Sequence, residues 1–325
     1  MSELVSVEKA ARLLGDADHI LILTHQYPDG DTLGSGYALC RALIALGKTA
    51  RVVCADEIPV KYAYMTEGVP NNDFEPAFIC AVDVADRRLL GRSLEALAEQ
   101  ADLCIDHHGS NIQYARHLLL DAGCAATAML IYHVILAMGA PVDREIAECI
   151  YTGIATDTGC FKYANTSAQA HRIAADLMET GIRYEMINRT MFDLKSRARL
   201  ELERLALDSI RFYYGGRCAV MFITTDMVAC SGAGENDMEG LAPISRQIEG
   251  VWVGVTLRQK PDGSYKVSVR TGTHADAAAI CARLGGGGHV RAAGCSLTGT
   301  AEEAVNQLLA AVRDMVPAIA DHAAK

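Results

Sequence analysis

The stretch His25-Gln26-Tyr27-Pro28-Asp29-Gly30-Asp31-Thr32-Leu33-Gly34-Ser35 decides the fold, because it marks a change from strand to helix. Before it, residues 19–23 form a short and nearly continuous apolar run, which is typical of a buried parallel strand. After it, from Gly36, apolar residues recur every three or four positions and predict a helix that ends at Gly47. One histidine and two aspartates therefore lie on a strand-to-helix turn, the place where open α/β sheets bind ligands.

The side chains of this turn indicate a cation site. The carboxylates of Asp29 and Asp31 repel each other unless positive charge lies between them, and His25 adds a nitrogen ligand. Oxygen with some nitrogen and no thiolate suits Mn²⁺ or Mg²⁺ better than a structural zinc. The alternative interpretation is a Pro-Asp-Gly turn whose acids only cap the following helix.

Composition limits the classes of partner. The chain has 325 residues, enough for two domains, and a formal net charge of −10, which argues against a long duplex nucleic acid as partner. The eleven cysteines show no paired C-x-x-C spacing, and we expect no signal peptide, so we predict a cytoplasmic protein with reduced thiols. The longest uncharged stretch, 122–142, contains His133, Gly139 and Pro141 and predicts a buried helix and turn, not a membrane span.

The first half of the chain alternates strands with helices, which predicts an α/β fold with a parallel, doubly wound sheet. Further strands are predicted at 50–54, 78–82 and 103–105. The last two end at Asp83 and at Asp106-His107-His108, and Asp157 lies in a glycine-bounded turn. Each acid alone is most often a cap or turn residue. Because all four turns carry aspartates or histidines that can bind a metal ion, we favour the interpretation that they form one metal site at an edge of the sheet.

The second half has a different character. Residues 192–212 predict a long charged helix that connects two domains, the alternative being an exposed helix of the first domain. Strands at 251–257 and 265–270 are joined by Pro261-Asp262-Gly263, a hairpin signal. A helix at 275–284 then leads into four consecutive glycines.

The glycine-rich segment, Gly285 to Gly294, predicts an anion-binding loop, because glycine lets backbone amides approach a phosphate closely. Between Val251 and Cys295 the sequence contains six arginines and lysines but only two aspartates, which gives a local charge of +4 on an acidic chain. This asymmetry suits a phosphate-bearing substrate. A flexible linker is the alternative, although linkers seldom lie between a helix and a strand inside a domain.

These residues together resemble a known family. The order His25-x3-Asp29-x-Asp31, Asp83, Asp106-His107-His108 and Asp157 is similar to the four-motif signature of the DHH phosphoesterase superfamily. The segment Gly286-Gly287-Gly288-His289-x2-Ala292-Ala293-Gly294 resembles the motif of the associated DHHA1 domain. The whole chain is similar to the bacterial group of bifunctional oligoribonucleases and 3′-phosphoadenosine-5′-phosphate phosphatases. One departure is Val269-Arg270-Thr271, where that group usually has Ser-Arg-Ser.

The resemblance implies two divalent cations, manganese with magnesium as the alternative. It assigns His25, Asp29 and Asp83 to one cation. It assigns the second to four residues, with Asp83 bridging: Asp31, Asp83, His107 and Asp157. It makes His108 a phosphate contact or catalytic acid, with Asp106 orienting a histidine. It also implies a set of substrate-binding residues in a second domain: Arg258, Arg270, Gly286, Gly287, Gly288 and His289.

The resemblance further predicts a DHH domain over 1–190, a helical connector over 191–214 and a smaller α/β DHHA1 domain over 215–325. The implied activity is hydrolysis of very short RNA to mononucleotides, with 3′-phosphoadenosine-5′-phosphate or the linear dinucleotide pApA as further substrates. Short RNA and small nucleotides would be the partners, with no membrane, and a homodimer is left open. The alternatives are a family II inorganic pyrophosphatase and a catalytically inactive nucleotide-binding regulator.

Overall fold

The computed structural model describes residues 2–238 and 240–322, and the chain divides into two compact units, Met1–Leu194 and Lys195–Lys325. Unit 1 contains six strands, β1 (Glu3–Leu4), β2 (Ile20–Leu23), β3 (Ala50–Val53), β4 (Phe78–Val82), β5 (Leu103–Asp106) and β6 (His117–Leu120). Its helices are α1 (Val7–Asp16), α2 (Gly30–Ala45), α3 (Ala63–Thr66), α4 (Glu95–Ala98), α5 (Thr127–Ala137), α6 (Arg144–Asp157), α7 (Ala168–Glu179) and α8 (Tyr184–Asn188).

The strands of unit 1 form one sheet in the order β1-β6-β5-β4-β2-β3, and every neighbouring pair is parallel. Alternate residues of β2 enter different cores: Ile20 and Ile22 face one, Leu21 and Leu23 the other. Both faces of the sheet are therefore buried, which explains the continuous apolar strands. The predicted α/β class and parallel sheet are confirmed. The sequence analysis did not identify the outer strands β1 and β6.

Helix α2 begins at Gly30, which is about 1.7 turns before the predicted start at Gly36. The first turns are small and polar yet buried, because α2 packs closely against α6. A side chain at Gly34 would lie 2.4 Å from the carbonyl oxygen of Cys149, and one at Gly30 would lie 2.3 Å from Thr156 Oγ1. Glycine thus permits the helix crossing that brings Asp31 into the same cluster as the end of α6.

The described residues of unit 2 form six strands, β7 (Arg211–Tyr213), β8 (Cys218–Ile223), β9 (Val253–Gln259), β10 (Tyr265–Thr271), β11 (Gly287–His289) and β12 (Ala292–Leu297). Its helices are α9 (Arg197–Asp208), α10 (Thr225–Ser231), α11 (Ala277–Ala282) and α12 (Ala301–Met315). The sheet order is β11-β12-β10-β9-β8-β7, antiparallel except between β8 and β9. The predicted β9–β10 hairpin is present. Residues of α11 and α12 join the core on one face of this sheet.

Two predictions for the second half need correction. Within the range 192–212 the α-helix runs only from Arg197 to Asp208, because Ser196 caps its start and residues 211–213 pair with β8. Residues 192–193 close a separate π-helical turn, Arg189–Asp193. Leu202 and Ala206 of that helix pack within unit 2. The glycine-rich segment is not wholly a loop, since Gly287–His289 pairs with β12. Among the described residues, no helix combines the length and apolarity needed to cross a membrane.

Candidate metal centre

Asp29 caps helix α2 and also faces a histidine. Its Oδ1 accepts hydrogen bonds from the backbone amides of Asp31 (3.0 Å) and Thr32 (3.1 Å), as the capping interpretation requires. The same oxygen lies 3.6 Å from His25 Nε2, which in turn lies 3.7 Å from Asp83 Oδ2. Asp29 can therefore both cap the helix and act as a metal ligand, because the capping hydrogen bonds hold its carboxylate beside the His25 imidazole.

Asp83 lies at the centre of the cluster. It directly follows β4 and has a φ of 59°, a left-handed conformation that is strained for a residue other than glycine. It is 3% exposed, and its Oδ1 lies 3.8 Å from His107 Nε2 and 3.5 Å from His108 Nδ1. With His25 on its Oδ2, Asp83 presents one oxygen toward each group of histidines.

A second group of donors surrounds His107. Its Nε2 lies 3.5 Å from Asp157 Oδ2 and 3.9 Å from Asp31 Oδ2. Its Nδ1 lies 3.1 Å from the carbonyl oxygen of Cys124; a proton placed there would leave Nε2 with a free lone pair. Asp157 is the last residue of α6 and not part of a glycine-bounded turn, because the helix extends one turn beyond Gly153.

The N-terminus of α5 holds Asp31. The cap residue, Ala126, has no side chain that could accept from the first amides of this helix. Asp31 accepts them instead, Oδ2 from Thr127 N (2.7 Å) and Oδ1 from Ala128 N (2.9 Å). Thr127 also donates through Oγ1 to Asp83 Oδ1 at 2.8 Å. The sequence analysis missed Thr127; its signal was a single hydroxyl at the start of a strongly apolar helix.

Burial and mutual repulsion disfavour the ionised form of three of the carboxylates, Asp31, Asp83 and Asp157. Burial, together with the neighbouring Asp157 and Asp29 charges, raises the pKa of Asp31 well above its usual value. Burial and the charge of Asp31 do the same to the pKa of Asp83, and burial raises the pKa of Asp157. Their polar contacts come from histidines, the hydroxyls of Thr127 and Ser35, and backbone amides. Crowded carboxylates with imidazole nitrogens are a donor set that fits divalent cations.

The donor atoms form three groups, each with its atoms within 4.8 Å of one another: His25, Asp29 and Asp83; Asp31, His107 and Asp157; and Asp83, His107 and His108. The first two correspond to the two sets that the family resemblance assigns, without the bridging Asp83 in the second. The structure therefore brings together all six residues predicted as metal ligands: His25, Asp29, Asp31, Asp83, His107 and Asp157. The third group adds His108 as a further donor.

Asp106 orients His108. Asp106 is fully buried, and its Oδ1 lies 2.8 Å from His108 Nδ1 while its Oδ2 accepts from Asn111 Nδ2 at 2.7 Å. Burial disfavours the ionised carboxyl, but the hydrogen bonds from His108 and Asn111 lower its pKa overall. The Asp106 carboxylate in turn raises the pKa of His108. The His108 side chain is 44% exposed, so it can reach a substrate.

The substrate-binding residues predicted in unit 2 are only partly brought together. Arg258, Arg270, Gly287 and Gly288 line a groove of about 1010 Å³. Gly286 lies outside this lining: a side chain there would lie 2.2 Å from the carbonyl oxygen of Gly294, so glycine serves close packing. His289 is exposed at the end of β11 and is also not part of the lining. The groove adds charged residues that the site prediction omitted: Glu235, Lys260 and Lys266.

In comparisons with known proteins, each of the two units matches a family model. Residues 19–154 match the model of the DHH family, N-terminal domain, and residues 218–317 match that of the DHHA1 domain. The chain is 36% identical over 301 residues to the bifunctional oligoribonuclease and PAP phosphatase NrnA of Thermus thermophilus, covering 91% of this chain and 89% of that protein. The corresponding Bacillus subtilis protein is 24% identical over 286 residues, 86% of this chain and 90% of that protein.

A solved structure also resembles the chain. An exopolyphosphatase-related protein from Bacteroides fragilis superimposes with a TM-score of 0.88 at 26% identity. The superposition covers 96% of this chain and 97% of that one. The likeness therefore extends over both units and is not confined to the sheet of unit 1.

Proposed function

This chain belongs to the DHH phosphoesterase family, and from that premise we propose that it is a manganese-dependent enzyme that hydrolyses very short oligoribonucleotides to mononucleotides. The observation that carries the proposal is the convergence of six donor residues from four separate chain segments on one cluster. A catalytically inactive nucleotide-binding protein would not need to keep buried carboxylates crowded together at a cost in stability.

Two cations would be held by the groups around His25 and around His107, with Asp83 shared between them. Divalent metals in such a pair activate a water and offset the charge that develops on the phosphate. Nitrogen ligands beside carboxylates favour Mn²⁺ over Mg²⁺, which prefers oxygen and keeps several waters. Hydrogen bonds from helix amides already fix the carboxylates of Asp29 and Asp31 within these groups. Cation binding would therefore require little ordering of either side chain.

The protein's own side chains supply positioning and proton transfer. His108 is anchored through Nδ1 by Asp106, which leaves Nε2 to donate to a phosphate oxygen or to protonate the leaving oxygen. In unit 2, Arg258 and Arg270 supply guanidinium groups that hold phosphate by charge-assisted hydrogen bonds. The backbone of Gly287 and Gly288, without side chains, lets a nucleotide approach the groove closely.

The Thermus thermophilus and Bacillus subtilis relatives are named as acting on both oligoribonucleotides and PAP, and we extend both substrates to this chain, with pApA as a third. We favour family II pyrophosphatase activity less, because the basic groove of unit 2 has room for a ligand larger than pyrophosphate. The eleven cysteines are unpaired thiols, which supports our placement of the protein in the cytoplasm.

The test is turnover by the purified protein with Mn²⁺ and equal concentrations of a ribo-dinucleotide, 3′-phosphoadenosine-5′-phosphate and pyrophosphate. The Asp157→Ala variant is the blank. We expect mononucleotide release by the wild type and none by the variant. Cleavage of pyrophosphate alone would replace our proposal with the pyrophosphatase, and no metal-dependent turnover of any substrate would favour the inactive regulator.

A further inference from the structure

The chain leaves the cluster of metal donors through a strained turn. Helix α6 ends at Asp157, and three residues soon after it are left-handed, with φ of 56° at Gly159, 56° at Cys160 and 62° at Phe161. One left-handed glycine is enough to end a helix, whereas the same conformation strains cysteine and phenylalanine. Such strain persists only where the surrounding structure holds it, and it is concentrated at functional sites. The termination of α6 alone therefore does not account for this turn.

Side chains on both sides of the turn anchor it within unit 1. The Phe161 ring packs against the core and is stacked on that of His171, with 5.0 Å between the ring centroids. Asn165 Nδ2 donates to the backbone carbonyl oxygens of Asp157 and Ala125, each at 3.1 Å. The turn is thus tied both to a metal-donor residue and to the segment that leads into α5. These contacts hold it beside the donor cluster.

Tyr163 is the large side chain that the turn leaves open at this edge. A side chain at Gly159 would lie 2.3 Å from Tyr163 Cζ, so the hydroxyl end of the ring lies directly against this glycine, two residues beyond Asp157. Tyr163 is nevertheless 62% exposed. Within the part of the chain that the structure describes, its side chain makes no hydrogen bond, ion pair or ring stacking. Most of the ring is therefore accessible to a ligand at the donor cluster.

The chemistry of this ring suits a nucleobase. In the proposed reaction the scissile phosphate lies at the donor cluster, and each sugar that it joins carries a flat aromatic base. Such bases stack on tyrosine rings, and every base presents the π-face that stacking requires. Stacking is thus tolerant of sequence, as the degradation of short RNA of any sequence demands. Inorganic pyrophosphate has no group that could use the ring.

We propose that Tyr163 is a substrate-contacting residue, on which the base of one of the two nucleotides joined by the scissile phosphate stacks. The inference rests on the proposed function and deepens it, since it names a residue that selects nucleotides over phosphate esters without a base. The ring and not the hydroxyl makes the contact. Phenylalanine should therefore replace Tyr163, whereas leucine, which is apolar but has no π-face, should not.

The test is calorimetric titration of the Mn²⁺-loaded protein with an analogue of pApA in which a methylene group replaces the bridging oxygen of the scissile bond. This analogue binds without turnover. We expect Tyr163→Ala to weaken its binding about 5- to 150-fold, the range that one base–aromatic stack contributes. Tyr163→Leu should lose most of the same affinity, and Tyr163→Phe should bind within about twofold of the wild type. Phe212→Ala, at an exposed aromatic position of β7, is the control and should change nothing.

Two further analogues, each lacking one of the two bases, separate stacking from a structural role. With one of them the wild type and Tyr163→Ala should bind equally, which identifies the stacked base. The proposal is overturned if Tyr163→Ala binds the complete analogue like the wild type, or if leucine replaces tyrosine as well as phenylalanine does. It is also overturned if the wild type does not bind the analogue, or if the alanine variant loses the same affinity for both base-free analogues, because Tyr163 would then act only on the shape of the donor cluster.

The outcomes are separable from those of the Mn²⁺ turnover assay. Binding as expected without hydrolysis of the natural dinucleotide would refute the proposed function alone. Hydrolysis by the wild type together with unchanged analogue binding by Tyr163→Ala would refute the role of Tyr163 alone.

Discussion

The Thr127 hydroxyl donates a hydrogen bond of 2.8 Å to Asp83, although 44 residues separate them in the chain. The backbone amide of the same threonine donates to Asp31. One residue at the start of α5 thus orients two carboxylates of the cluster. Both contacts constrain oxygens that would otherwise rotate apart because of their like charge.

We predict that Thr127→Val, which keeps the shape and the backbone amide but loses the hydroxyl, weakens Mn²⁺ binding about tenfold. Thr127→Ser should retain wild-type affinity because it restores the donor. Calorimetric titration with Mn²⁺ measures this directly, and kcat should fall in parallel in the valine variant only. Equal Mn²⁺ affinity of the valine and serine variants would show that the hydroxyl has no positioning role.

We predict opposite effects of Asp83→Asn on stability and on metal response. Asparagine tolerates the left-handed backbone of this position and removes a buried charge. The metal-free variant should therefore unfold at a higher temperature, by about 2–4 °C for each 1 kcal/mol of repulsion removed. Mn²⁺ should stabilise the wild type and not the variant, and turnover should be lost.

Thermal unfolding with and without Mn²⁺ measures both effects. Asp16→Asn, an exposed aspartate at the end of α1, is the matched control and should keep the metal response of the wild type. A lower unfolding temperature for metal-free Asp83→Asn would mean that the carboxylate stabilises the fold and is not held at a cost for metal binding.

Much of this cluster was predictable because it follows from strand order. Asp83 comes directly after β4 and Asp106 ends β5, and neighbouring parallel strands place their carboxyl ends at one edge. Any sequence that ends adjacent parallel strands in ligand residues must bring those residues together. The family resemblance added the assignment of roles, which the spacing alone did not supply.

The start of α2 and the role of Thr127 were not predictable by the same means. Hydrophobic periodicity detects helices that bury large apolar residues, whereas Gly30 and Gly34 are buried by close contact with α6. Thr127 contacts Asp83 only through the tertiary fold, so no local pattern marks it. The error at Arg211 has a similar cause, because pairing with β8 overrides the helical pattern that precedes it.

We predict that Asp106→Asn lowers kcat by about 10- to 100-fold through His108. An amide cannot accept from both His108 and Asn111 as the carboxylate does, so the imidazole loses its fixed orientation. The double variant Asp106→Asn/His108→Ala should be no slower than His108→Ala alone, because the two residues act as one unit. Additive losses in steady-state kinetics would mean that Asp106 acts independently of His108.

An ion pair between a buried glutamate and a half-exposed arginine joins α6 to the segment that precedes α8. Glu148 is 2% exposed, and it accepts hydrogen bonds from Arg183 Nε (2.8 Å), Nη2 (2.6 Å) and backbone N (3.0 Å). Burial would raise the pKa of Glu148, but these bonds outweigh it and lower the pKa below the usual 4.5. A lowered pKa means that the folded state binds the proton less tightly than the unfolded state does.

We predict that Arg183→Met destabilises the protein by about 1.5–3 kcal/mol at pH 7, because it leaves a buried carboxylate with only its backbone donor. The contribution of Glu148 is complete above pH 4.5 and is lost as the pH falls through the lower pKa of the folded state. The difference from wild type should therefore shrink in urea unfolding at pH 4. Arg172→Met, at an exposed position of α7, is the control and should unfold like the wild type at both pH values. A difference that is equal at pH 7 and pH 4 would show that Arg183 stabilises by packing and not through the charge of Glu148.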